Sequence, residues 1–125
     1  MIEFIAMNRK VNIDLEPGLY SFHPDSATGK TLLVKMVKSI GEKDKIAITY
    51  HDIIMGLDIG KVISNKPTLL ILDRFDLYDY EAVRLESLKH ADCITLVDYK
   101  TERKFCDFDD TCFVELDKDK LEVSL

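Results

Sequence analysis

The chain has 125 residues, of which 46% are hydrophobic and 32% charged, with a formal net charge of −6. These values suit one globular domain spanning residues 1–125 and exclude a disordered or low-complexity chain. With 23 acids against 17 Lys and Arg and no basic cluster, a dedicated nucleic-acid surface is not expected, because such binding depends on concentrated positive charge.

No apolar run nears the ~20 residues that a membrane helix requires, so no membrane partner is expected. The first ten residues, MIEFIAMNRK, carry an acid at position three and no long apolar stretch, so they do not read as a signal peptide. Cys93, Cys106 and Cys112 are odd in number and lack C-x-x-C spacing. They read as reduced, buried thiols of a cytoplasmic protein rather than as zinc ligands.

In chain order, residues 2–7 and 11–15 form two short β-type runs, the second alternating Val11, Ile13 and Leu15 with polar residues. This predicts a hairpin with Arg9 and Lys10 in a solvated tip. Glu16-Pro17-Gly18 turns the chain into a buried strand over 19–22. A small-residue loop, PDSATGKT, occupies 24–31. Leu32, Leu33, Met36, Val37 and Ile40 then recur at helical spacing, which predicts a helix starting near Lys30.

Residues 41–45 are a polar connection, and 46–50 an apolar strand followed by His51 and Asp52. Ligands collect at the carboxyl ends of parallel strands, so this pair has a functional address, although a strand-end cap is the better reading. Residues 53–65 read as a helix weakened by Gly56 and Gly60, each costing about 1 kcal/mol against alanine. Lys66-Pro67 ends it. Residues 68–72 then form an unbroken apolar run closing on Asp73, the pattern of a strand buried on both faces.

Asp79 is a candidate N-cap for a helix over 79–90. Residues 93–97 read as a further buried strand, ending in Asp98, Tyr99 and Lys100, and 101–110 as a polar loop. A closing hairpin follows, with strands over 112–116 and 121–125 around a charged turn at 117–120.

The loop carries the chemistry. Gly29, Lys30 and Thr31 match the end of G-x-x-x-x-G-K-[ST], while Pro24 stands at the first glycine position. The backbone of Asp25, Ser26, Ala27, Thr28, Gly29, Lys30 and Thr31 is the candidate phosphate cradle. Successive N–H groups and a helix N-terminus, worth about half a positive charge, aim at one anion. Lys30 would reach the outer phosphates, and Thr31 would offer its hydroxyl to Mg²⁺. Asp73, at the tip of the central strand, would hold the same metal through water. Pro24 removes one N–H from the start of the loop.

PDSATGKT and TLLILDRFD resemble the Walker A and Walker B motifs of P-loop NTPases. One strand, 46–50, lies between them, as in the branch containing ABC-type and AAA-type ATPases. VNIDLEPGLYSF and CFVELDKDKLEVSL resemble the opening and closing hairpins of an ABC-type core. The resemblance implies a three-layer α/β P-loop NTPase-like fold, its mostly parallel central sheet flanked by helices, with N- and C-terminal β-hairpins. It implies ATP and Mg²⁺ as ligands, with Lys30 and the backbone near Gly29 on phosphate and Thr31 and Asp73 on the metal.

Three departures bear on activity. The ABC signature and its helical subdomain are missing. Arg74 stands where a water-orienting carboxylate is usual, and an arginine cannot act as a base. Asp98, Tyr99 and Lys100 stand where a histidine or polar sensor is usual. The expected function is therefore nucleotide binding with slow or partner-dependent hydrolysis, and Asp76 is the candidate substitute base. The alternative is a non-enzymatic scaffold that no longer binds nucleotide. A small-molecule kinase ranks last for want of an Arg-rich lid. A protein partner or a homo-oligomer remains open.

Overall fold

The computed structural model describes residues 1–24, 27–78, 85–89, 92–100 and 107–125. Strands β1 (Ile2–Ala6) and β2 (Arg9–Ile13) pair antiparallel, with Ala6 opposite Arg9. Met7 and Asn8 make the turn with φ of 50° and 61°. Positive φ at both positions is the two-residue geometry that matches strand twist. Arg9 and Lys10 therefore open β2 rather than forming the tip.

Strand β3 (Gly18–Phe22) leads towards helix α1 (Ala27–Ile40), which begins three residues earlier than its apolar spacing suggests. Strand β4 (Lys45–Ile48) follows, then two short helices, α2 (Tyr50–Ile54) and α3 (Ile59–Ser64). The single helix expected over 53–65 is thus divided, and Gly56 takes φ of +97° at the break. Only glycine adopts that backbone cheaply. Strand β5 (Leu69–Leu72) is wholly buried, and a 3-10 turn follows at Phe75–Leu77. Of the helix expected over 79–90, the structure describes one turn, α4 (Leu85–Leu88); the Asp79 cap lies outside the described residues. Strands β6 (Ile94–Val97), β7 (Asp110–Leu116) and β8 (Lys120–Ser124) complete the chain.

All eight strands join one sheet in the order β1-β2-β8-β7-β3-β6-β5-β4. Pairing is antiparallel within β1/β2 and β7/β8, and parallel at every other junction. On one face α1 buries Leu33, Met36 and Val37 in a cluster with Val11, Ile13, Ile71, Leu96, Leu121 and Val123 from the strands. On the other face Leu19, Ile48, Leu70, Leu72 and Val97 meet Ile59, Phe75, Tyr78, Leu85 and Leu88. Each such side chain contributes about 1.5–3 kcal/mol on burial.

Helix α1 touches β7 and both edge strands, β1 and β4, so the sheet curls around it. The expected three-layer P-loop NTPase-like fold is thereby overturned. Over the described residues the protein is a strand-rich, mixed, eight-stranded half-barrel with few helices. Two physical causes stand out. The terminal hairpins extend the main sheet through the β2/β8 and β3/β7 pairings, and among the described residues the second face has only short helical pieces to cover it. Among the described residues no helix is long and apolar enough to cross a membrane.

Gly29 fixes how closely α1 approaches the sheet. A Cβ there would stand 2.4 Å from Val114 Cγ1 and 3.0 Å from its Cβ. Valine is stiff at χ1 and cannot swing aside. Gly29→Ala should therefore destabilise the protein by roughly 1–3 kcal/mol in urea unfolding, despite alanine's better helix propensity. Adding Val114→Ala should return part of that loss. A Gly29→Ala protein as stable as wild type would refute this account of the packing.

Candidate functional site

Three neighbouring parallel strands, β3, β6 and β5, end side by side. Leu72 lies opposite Val97, and Val97 opposite Ser21, so the chain emerges from β5 and β6 with Asp73 and Asp98 adjacent. The backbone locks this arrangement. Asp98 N–H donates to the Leu72 carbonyl at 2.9 Å, Asp73 N–H to that of Ile48 at 2.9 Å, and Phe75 N–H to that of Asp98 at 2.7 Å.

Lys30 enters from the first turn of α1. Its Nζ donates to Asp98 Oδ1 at 2.5 Å, and only 12% of the lysine side chain and 5% of the aspartate side chain are exposed. The same ammonium lies 5.9 Å from the Phe22 ring centroid, within cation–π range. The first turn of α1 carries no acid, so nothing on its own helix offsets the positive end of the dipole.

The other oxygen of Asp98, Oδ2, accepts the Arg74 backbone N–H at 3.3 Å. Arg74 adopts φ 52° and ψ 50°, a left-handed conformation that costs about 1–2 kcal/mol for a residue with a side chain. Its guanidinium offsets that strain by a two-pronged bond to Asp76, Nε to Oδ1 at 3.1 Å and a terminal nitrogen to Oδ2 at 3.0 Å. The Asp76 side chain is 3% exposed. Arg74 holds the Asp76 carboxyl below its ordinary value, which makes Asp76 a weak base.

Asp73 behaves in the opposite way. Burial, then the hydrogen bond and the negative charge of Asp98, push its carboxyl up to about 6. Lys30 and Arg74 oppose this rise without cancelling it.

Gly29 is buried and its missing side chain makes room for Val114. Thr31 is exposed on α1, and Ala27 and Thr28 supply backbone to the start of that helix. Asp25 and Ser26 lie outside the described residues. Asp52 closes a capping box with Thr49 and pairs with Lys38 at 2.6 Å, so it caps the start of α2 rather than the end of a strand; His51 is exposed. Cys93 and Cys112 are free, buried thiols. Among the described residues no group of three or more His, Cys, Asp or Glu is placed to hold a metal.

Sequence reading alone assigns Asp98 no ligand or catalytic role, yet its signal is present: an apolar run closing on an acid, as in β5. No family model, curated protein or solved structure matches the chain.

The two carboxyls make stability depend on pH with opposite signs. Folded Asp73, at about 6, lies above its ordinary 3.8, so the native state retains a proton that the unfolded chain has released. Stability from this group is fully present below pH 3.8 and falls as the pH rises through 6. In EDTA, Asp73→Asn should therefore melt above wild type at about pH 7, and the advantage should vanish near pH 4. A variant that melts lower at neutral pH contradicts the charge arrangement.

Asp76 has the reverse sign. Its depressed carboxyl contributes stability above the ordinary value, and that contribution is lost as the pH falls through the folded value. Asp76→Asn should cost roughly 2 kcal/mol in urea unfolding at about pH 7, with the gap to wild type closing in strong acid. An equal gap at both pH values would exclude the ion pair as its source.

Proposed function

We propose that the protein binds a nucleoside triphosphate, in the first instance ATP, together with Mg²⁺, and turns it over slowly or only with a partner. One observation carries the reading. A nearly buried lysine in the first turn of α1 converges with two adjacent strand-end carboxylates, at the end of a parallel sheet where ligands commonly sit. The Gly29-Lys30-Thr31 and Leu72-Asp73 motifs support it. It does not depend on the three-layer fold.

The donor set suits a hard cation. Asp73 offers carboxylate oxygens at the end of β5, and Mg²⁺ is commonly held by one or two carboxylates with water and ligand phosphates. Thr31 adds a hydroxyl on α1. Bound Mg²⁺ would neutralise charge on the phosphate oxygens. Lys30 would bind an outer phosphate, and the N–H groups at the start of α1 would orient it.

Slow turnover follows from the residues after β5. Arg74 cannot take a proton, and Asp76 is occupied by Arg74. A cytoplasmic setting accords with a reduced-thiol, nucleotide-binding protein. The scaffold alternative draws on a specific observation too: Lys30 already has a partner in Asp98, and packing against Val114 explains Gly29 without phosphate.

Calorimetric titration with Mg·ATP decides between them. Wild type should bind, and Lys30→Met should weaken binding by about tenfold or more. The double variant Lys30→Met/Asp98→Asn removes both buried charges, which guards against a folding defect in the single variant. It should also bind weakly. Absence of wild-type binding up to millimolar Mg·ATP would leave the scaffold reading.

A further inference from the structure

We propose that Asp98 is an internal competitor for the ligand's phosphate: its carboxylate holds Lys30 in the ligand-free protein and must yield that lysine when a polyphosphate binds. The inference deepens the reading above and rests on it.

The geometry supplies the argument. Lys30 has three N–H donors on one ammonium, and one of them meets Asp98 Oδ1 at 2.5 Å in a setting where both side chains are almost wholly buried. A phosphate oxygen that reached Lys30 would come close to the same carboxylate, and two anions at that range repel strongly where water is excluded. Asp98 has another partner to fall back on: the Arg74 N–H binds Oδ2 at 3.3 Å. The exchange is therefore a local movement of the Lys30 side chain, with the strand ends left in place. Asp98 would tune affinity downwards and favour ligands that arrive with a cation.

Calorimetry on wild type and Asp98→Asn, with ATP in EDTA and with Mg·ATP, tests this. The amide keeps a carbonyl for Lys30 and removes the charge, at the loss of the Arg74 N–H contact made by Oδ2. Asp98→Asn should bind ATP in EDTA about tenfold tighter than wild type, with a smaller gain for Mg·ATP. Lys30→Met in the same background should erase the gain. If wild type binds while Asp98→Asn binds equally or more weakly, the competitor role is overturned and the nucleotide reading stands. If neither protein binds at millimolar ligand, the nucleotide reading itself fails.

A second measurement uses wild type alone. The Lys30 ammonium is shielded, so its ¹⁵N resonance should be observable in the cold, and saturating ATP should shift it. Binding that leaves this resonance unmoved would overturn the exchange.

Discussion

The apolar stripe of α1 has to be covered, and most of the architecture answers that need. Leu33, Met36 and Val37 are essentially inaccessible, and residues of β2, β5, β6 and β8 supply their surroundings. A flat sheet would leave the flanks of the helix wet. By curling until both edge strands touch α1, the sheet removes that exposure. Gly29 then sets the depth of the helix start against Val114, and so sets where Lys30 can reach. The position of that buried cation is a consequence of packing.

Charge at the strand ends can be counted. Lys30 and Arg74 bring two positive charges, and Asp73, Asp76 and Asp98 bring three negative ones, so the fully ionised cluster carries a net −1. In a medium of low dielectric that imbalance is costly, and retention of a proton by Asp73 relieves it. The same count says which ligands suit the site. A bare anion adds to the excess, whereas an anion with a divalent cation offsets it.

The strands are largely legible in the sequence, because their burial is written in local patterns. Val11 and Ile13 alternate with polar neighbours and are buried on one side; Leu69 to Leu72 run unbroken and are buried on both. The division at Gly56 is only half legible, since a glycine's cost in a helix can be read but its φ cannot. The layer arrangement is not legible. Whether a terminal hairpin stands apart or joins the main sheet depends on pairings such as β2 with β8, between residues more than a hundred positions apart. Asp98 escapes a local reading for a related reason: its importance comes from Lys30, 68 residues away, and no spacing announces that contact.

Arg74 joins the two strand ends on which the site rests. Here the backbone N–H turns to Asp98 and the guanidinium to Asp76, in a left-handed conformation that persists only because both contacts hold it. The residue clamps the end of β5 to the end of β6 and keeps the two carboxylates in register. A site organised in this way is built for holding charge in a fixed geometry. Under the proposed reading Asp73 is committed to the cation and Asp76 to Arg74, so neither is left to take a proton from water. Under that reading binding and turnover separate, the first resting on the fixed charges and the second on a group from elsewhere.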